Sequence, residues 1–279
     1  MNPNPALVTE LVARALIEDI GPGDLSTQAC IPLEIQAQGE FLAKQNGIVA
    51  GLYVVAECFR QAGPDCIFEA FIEDGMAFTK GTILARVQGP AAQILTTERV
   101  ALNFLQRLSG IATLAGEFVS AVVGTRARIV DTRKTTPGLR VLEKSAVCAG
   151  GAYNHRYALY DGVILKDNHI AACGGIMPAV ERCRQVLPHT VKIEVETADL
   201  QQVHEALEAK ADIIMLDNMD LCTMHQAVEQ IAGRALVEAS GGVNLTTVRA
   251  IANTGVDLIS VGCLTHSAPA IDISLQLSR

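Results

Sequence analysis

No apolar run in this chain approaches the ~18 residues that a membrane span requires. Positive charge is also scarce. Only 22 Lys and Arg stand against 30 Asp and Glu, giving a formal net charge of −8 and a pI near 5.3. That balance excludes a nucleic-acid binder held by bulk charge. The eight cysteines include no C-x-x-C pair, and the six histidines show no metal-ligand spacing. Most of the cysteines sit among Ala, Val, Ile or Leu and read as buried free thiols, as in a reducing cytoplasm. The opening MNPNPALVTELVARALIEDIG lacks a basic n-region, and its apolar residues recur at helical spacing. It reads as an amphipathic helix rather than a signal peptide.

What remains is a large globular chain. Its 279 residues are 49% hydrophobic and only 19% charged, with a mean hydropathy of +0.29, enough for a sizeable core. The first hundred residues mix signals. GEFLAKQNGIVAG reads as strand, YVVAECFRQ as a short helix, and CIFEAFIEDG and TILARVQG as strands, which together suggest an α+β unit. Residues 93–123 read as a long helix broken near Ser109 and Gly110. After Arg128 the rhythm changes. The runs GVILK, VKIEVE, DIIMLD, ALVEAS and DLISVG have the composition of parallel strands buried on both faces. Amphipathic stretches one helix long lie between them. Such βα repetition builds either a barrel or an open doubly wound sheet.

The residues that end the runs decide between the two. They are Lys166, Glu196, Asp217, Ser240 and Gly262, spaced 30, 21, 23 and 22 residues apart. In a barrel these positions converge on one face, where active sites sit, whereas an open sheet would spread them along a line. The barrel is therefore preferred.

A basic island adds to this pattern. From Arg126 to Lys166, eight Lys and Arg face three acids, so this segment is +5 within a chain of −8. Arg133 and Lys134 follow RIVDT, read as a strand ending at about Thr132, with Thr136 as N-cap and Pro137 in the first turn of the next helix. Adjacent cations repel unless an anion lies between them. His155 and Arg156 follow a flexible CAGGAY stretch, and an Arg fork suits a carboxylate. Lys166 is a salt-bridge partner, a Schiff-base nucleophile or an anion ligand, and its residue type does not choose. Glu196 and Asp217 suit Mg²⁺ or sugar hydroxyls, unless they cap the following helices. The glycines of SGGVN and SVGCLTHS suit a phosphate on the last barrel strands.

DTRKTTPGLRVLEK, GGAYNHR, VILKDNHI, KIEVE, IIMLDN, VEASGG and SVGCLTHS, in this order, closely resemble the nicotinate-nucleotide pyrophosphorylases, also called quinolinate phosphoribosyltransferases. The resemblance runs from EDIGPGDLST to the last strand. It implies an incomplete (β/α) barrel over 105–268 and an N-terminal α/β sandwich over 1–104, which the final strand, 269–279, rejoins. It implies a decarboxylating reaction of quinolinate with phosphoribosyl pyrophosphate and Mg²⁺, yielding nicotinate mononucleotide, CO₂ and pyrophosphate for NAD synthesis in the cytoplasm. Carried over by motif, Arg133, Lys134, His155 and Arg156 bind the quinolinate carboxylates, joined by Arg99 from the partner of a homodimer or a hexamer built of dimers. Lys166 lies between the two substrates, and Glu196 and Asp217 face the ribose and Mg²⁺. Ser240, Gly241, Gly262 and His266 hold the 5-phosphate. Lys134, Lys166, Glu196 and Asp217 carry the catalysis. Two positions depart from the family pattern: Ser145, where an aromatic is common, and Ala152, where Gly is.

Three rivals differ in class. A transport-linked paralogue of the family lacks the KDNH-type segment that stands here at Lys166–His169. A Schiff-base barrel would use Lys166 in an apolar pocket. A binding or scaffold barrel would leave the strand-end charges without a task.

Overall fold

The computed structural model describes residues 3–278. α1 (Pro5–Ile20) and α2 (Leu25–Cys30) come first, followed by β1 (Gln36–Ala43), β2 (Gly47–Ile48), α3 (Leu52–Ala62), β3 (Ile67–Ala70), β4 (Ala77–Phe78) and β5 (Ile83–Pro90). The long α4 (Ala91–Ala121), β6 (Arg128–Val130) and α5 (Arg140–Ala149) follow. Strands and helices then alternate: β7 (Val163–Leu165), α6 (Asp167–Cys173) with α7 (Ile176–Val186), β8 (Ile193–Thr197), α8 (Leu200–Glu208), β9 (Ile213–Asp217), α9 (Leu221–Ile231), β10 (Leu236–Ser240), α10 (Val248–Asn253) and β11 (Leu258–Ser260). α11 (Cys263–His266) and β12 (Ile273–Ser278) complete the described chain. Among the described residues no helix is long and apolar enough to cross a membrane.

Contacts divide the chain into two compact units. The first is the chain up to Gly116, Thr135–Gly151 and the segment from Leu264 onward, and the second is Glu117–Lys134 with Ala152–Cys263. α5 thus belongs by its contacts to the first unit, although residues 105–268 had been expected to form the barrel as one block.

The first unit contains an antiparallel sheet in the order β12-β1-β5-β3. β1 alternates buried and less buried positions, so Ala37, Gly39, Phe41 and Ala43 share the core face. Phe41 meets Phe59 and Phe68 edge-on, at centroid separations of 6.1 and 6.2 Å. β12 pairs with β1 from Gln38↔Ser278 to Ala43↔Ile273, so the last strand does return to this sheet.

α4 runs unbroken for 31 residues, and the expected interruption at Ser109 and Gly110 is absent. These two residues serve close approach instead. A Cβ on Gly110 would lie 2.0 Å from the Pro269 carbonyl oxygen, and Ser109 Oγ accepts the Ala50 N–H at 3.1 Å. α5 begins three residues later than Pro137 would suggest, with Leu139 rather than Thr136 at its N-cap. Thr136 instead gives its donors to Glu143 in the first turn of α5: its N–H at 3.0 Å and its hydroxyl at 2.8 Å. Glu143 is fully buried, and its other support is Arg107, whose Nη2 donates at 2.9 Å.

The second unit is a parallel sheet in the order β6-β11-β10-β9-β8-β7, extended beyond β6 by a parallel bridge between Val130 and Tyr153. With its helices it forms an incomplete α/β barrel. Alternation along each strand sends Glu194 and Glu196 of β8 to one face, and likewise Met215 and Asp217 of β9, and Glu238 and Ser240 of β10. Parallel pairing sets Glu196 beside Met215, Met215 beside Glu238, and Asp217 beside Ser240.

Removing Glu143 leaves Arg107 and the Thr136 donors without their shared acceptor. Glu143→Ala should lower unfolding free energy by about 2–3 kcal/mol, the low end for a broken buried pair because Arg107 keeps some solvent. A urea titration beside the unsubstituted protein checks this.

Candidate active site

A cavity of about 650 Å³ opens at the C-terminal ends of the parallel strands in the second unit. This is the size range of small-molecule sites, at the barrel face where such sites lie. Thr132, Arg133 and Lys134 reach it from the loop after β6, and His155 and Arg156 from the segment bridged to β6 at Tyr153. The adjacent pairing of Val130 and Tyr153 places these two basic segments side by side. Lys166 comes from the end of β7, Glu196 from β8, Asp217 and Asn218 from β9, and Ser240, Gly241 and Gly242 from β10. A larger cleft of about 860 Å³ in the first unit is lined by α1, α2 and part of α4, but its one charged residue is Asp24, so it has no cation for a polyanion.

Nine of the twelve expected site residues therefore share one cavity. Arg99 is exposed on α4 and His266 is exposed at the end of α11, both in the first unit. Gly262 does not line the cavity, because β11 ends two residues earlier and Ser260 is its wall residue. The basic island is divided in the same way. Arg133, Lys134, Arg156 and Lys166 face the cavity. Arg126 pairs with Asp257 at 3.1 Å, and the Arg128 guanidinium lies 5.2 Å from the Tyr153 ring centroid. Arg140 and Lys144 lie on α5 in the first unit.

The strand-end acids are not helix caps. Asp199 caps α8 through the Gln202 N–H and Asp220 caps α9 through the Thr223 N–H, each at 2.8 Å. Glu196 instead accepts from Lys166 Nζ at 2.8 Å, and Asp217 from Asn218 Nδ2 at 2.8 Å. The half-exposed Lys166 ammonium is thus an ion-pair partner in a polar pocket, not an amine desolvated by apolar walls. Gly241 sits at φ +93, and a Cβ there would lie 2.1 Å from Asn218 Oδ1, so this turn requires glycine. Arg156 donates from Nη1 to the Gly162 carbonyl at 2.8 Å, while its buried Nε–H has no acceptor among the described residues. Burial and the nearby Arg133 cation lower its pKa from the ordinary guanidinium value.

Sequence reasoning missed the layer beneath. Glu194 and Glu238 are buried, and each brings a carboxylate oxygen to 3.2 Å from His155 Nε2. Period-two alternation was the available signal, since Glu194 lies two residues before Glu196 and Glu238 two before Ser240. Asp131, also buried, accepts the His155 N–H at 2.8 Å and Asn154 Nδ2 at 3.0 Å. Burial alone would lower the His155 pKa, but hydrogen bonds and charge from Glu194 and Glu238 push it up to about 10. His155 Nδ1 accepts the Arg156 N–H at 2.7 Å, so Nε2 is the nitrogen that carries hydrogen. A doubly protonated ring would set two N–H groups against each other there. Burial raises the pKa of Glu194 as well, so the cluster favours holding an added proton. The three side chains also place one ligand atom each within 4.8 Å of one another, a spacing that a metal ion would tolerate.

Fold and site define a barrel enzyme that handles phosphate and carboxylate groups at the C-terminal ends of its strands. The model of the quinolinate phosphoribosyl transferase N-terminal domain matches residues 24–109, and that of the C-terminal domain matches residues 111–276. The chain belongs to this family. It is 44% identical over 275 residues to a probable nicotinate-nucleotide pyrophosphorylase [carboxylating] of Bacillus subtilis, covering 99% of this chain and 95% of that protein. It is 47% identical to a protein of the same description from Synechocystis, covering 95% and 90%. The crystal structure of NadC from Streptococcus pyogenes superposes with a TM-score of 0.96 at 41% identity, covering 100% of this chain and 99% of that one.

Free imidazole titrates near 6.5, whereas Glu194 and Glu238 push His155, against the effect of burial, up to about 10. Over that window the folded state binds more protons than the unfolded chain, so stability is full below pH 6.5 and falls as pH rises toward 10. The urea midpoint should drop over this range, and His155→Gln should flatten the dependence.

Proposed function

We propose that this chain is a decarboxylating quinolinate phosphoribosyltransferase that serves de novo NAD synthesis. It would join quinolinate to phosphoribosyl pyrophosphate and release nicotinate mononucleotide, CO₂ and pyrophosphate. One observation carries the reading: a single cavity brings together a set of cationic side chains, a hydroxyl- and glycine-lined turn, and two carboxylates. Arg133, Lys134 and Arg156 stand on the β6 side, and Ser240, Gly241 and Gly242 at β10. A pyridine dicarboxylate suits the first and a sugar 5-phosphate the second, so the ring nitrogen meets the anomeric carbon near Glu196 and Asp217.

The chemistry follows from this placement. As pyrophosphate leaves the sugar, positive charge develops at the anomeric carbon and ring oxygen. The carboxylates of Glu196 and Asp217 stabilise that charge, and Lys166 holds Glu196 in place. The pyridine nitrogen attacks, oriented by the Arg133 and Arg156 forks on its carboxylates. The nitrogen becomes cationic, and the adjacent carboxylate leaves as CO₂ because the ring cation stabilises the electron pair left on the ring carbon, which then takes a proton from water to form the C–H bond of the product. No protein nucleophile is used.

Magnesium fits the donor set. Glu196 and Asp217 offer hard carboxylate oxygens from neighbouring strands. Bound with phosphate oxygens, Mg²⁺ would neutralise charge on the leaving group. We assign the exposed Arg99 to the dicarboxylate end of a partner's site in a homodimer, and His266 to the phosphate end, as the family resemblance implies. The lack of C-x-x-C pairs and the eight free thiols support a reducing, cytoplasmic setting.

Purified protein with phosphoribosyl pyrophosphate and Mg²⁺ should form nicotinate mononucleotide from quinolinate and none from nicotinate. Equal turnover of nicotinate would sink the dicarboxylate assignment. Arg156→Ala should raise the quinolinate KM by about 10- to 100-fold, as expected for one charge-assisted contact, and leave the phosphoribosyl pyrophosphate KM within about twofold.

A further inference from the structure

We propose that Glu194, Glu238 and His155 form a buried positioning relay that sets where Arg156 stands in the carboxylate clamp, so that His155 acts through Arg156 and not as a ligand of the substrate. The proposal rests on the substrate reading above. It begins with the two ring nitrogens, both of which are engaged by protein. Nε2 lies 3.2 Å from a carboxylate oxygen of Glu194 and 3.2 Å from one of Glu238. Nδ1 accepts the main-chain N–H of Arg156 at 2.7 Å. Neither nitrogen is left to donate to a bound dicarboxylate. Arg156 lines the cavity, and its buried Nε–H has no acceptor among the described residues.

The relay is built into the barrel. Glu194 on β8 and Glu238 on β10 flank β9, and alternation turns both to the interior, one layer below Glu196 and Ser240. Glu238 is fully buried and Glu194 almost so. Glu194 Oε1 and both Glu238 carboxylate oxygens have no hydrogen-bond partner among the described residues, and the His155 ring lies 3.2 Å from each carboxylate. A buried carboxylate costs several kcal/mol unless it is paired, and two of them converging on one imidazole leave the ring little freedom to tilt. The His155 backbone is fixed as well, through its N–H to Asp131 Oδ1 at 2.8 Å. With the ring held from below, the Nδ1 contact fixes the Arg156 amide, and the Gly162 carbonyl holds the guanidinium from the side at 2.8 Å.

Alanine and glutamine at either glutamate separate the possibilities. A glutamine keeps a carbonyl oxygen facing Nε2, whereas alanine does not. Isothermal titration with quinolinate, and separately with phosphoribosyl pyrophosphate, reads the effect. Glu238→Ala and Glu194→Ala should each weaken quinolinate about tenfold, equivalent to about 1.4 kcal/mol. Binding of phosphoribosyl pyrophosphate should stay within about twofold, and the Gln variants should bind quinolinate nearly as the unsubstituted protein does. Nitrogen-15 spectra of the His155 ring, taken without any ligand, should show a ring ordered in the unsubstituted and Gln proteins and mobile in the Ala proteins. Equal weakening of both ligands, or unchanged quinolinate affinity in the Ala variants, overturns the relay. So does stoichiometric Zn²⁺ binding that Glu238→Ala abolishes, because Nε2 would then be a metal ligand. If the unsubstituted protein fails to bind quinolinate, the substrate reading falls. The ring spectra then still judge the relay, which fails if Ala and unsubstituted proteins look alike.

Discussion

The pocket depends on the parallel register of six short strands. Side chains on a strand alternate, so only residues two apart reach the barrel interior. Register then decides which interior residues become neighbours. Asp217 stands beside Ser240 and Glu196 beside Met215, one step out of line with each other. That stagger puts the carboxylates of Glu196 and Asp217 at different heights. Glu194 and Glu238, each two residues before Glu196 and Ser240 on its own strand, both reach a histidine arriving from the far edge of the sheet. A slip of one residue in β8 would turn both of its glutamates toward the helices.

The same arrangement handles an unfavourable charge distribution. Arg133, Lys134, Arg156 and Lys166 around one cavity repel one another when no anion is present. Part of that repulsion is offset within the protein. Glu196 takes the Lys166 ammonium, and the buried glutamates lie near enough for Glu194 to influence Arg156. The resulting pocket combines cationic, acidic and uncharged polar walls. A rigid scaffold with loops at strand ends suits such a site, because the loops supply chemistry while the strands hold position.

Much of this was legible in the residues themselves. The twenty-residue βα period and the polar residue ending each apolar run pointed to a barrel and to one face of it. The alternation of β1 and the return of β12 to it agree with the strand signals in GEFLAKQ and IDISLQL. Local chemistry misled where long-range contacts overrode it. Ser109 and Gly110 looked like a helix break but serve close packing against Ala50 and Pro269. Thr136 and Pro137 looked like a helix start, yet Glu143 takes the Thr136 donors.

The sequence by itself determined the kinds of groups available and their spacing along the chain. Lys166, Glu196, Asp217 and Ser240 recur with the period of the fold, and the DTRKT, NHR and KDNH motifs identify the family. Tertiary structure alone decided which charges share a space. It placed Arg140 and Lys144 on α5, in the first unit, left Gly262 off the cavity wall, and showed the strand-end acids to be pocket residues rather than helix caps. It also joined Glu194, Glu238 and His155, which are 44 and 39 residues apart or more along the chain. The reason is physical. Period and composition are local properties, whereas the pairing of buried charges depends on register and on which strands are neighbours, and no short window of sequence contains either.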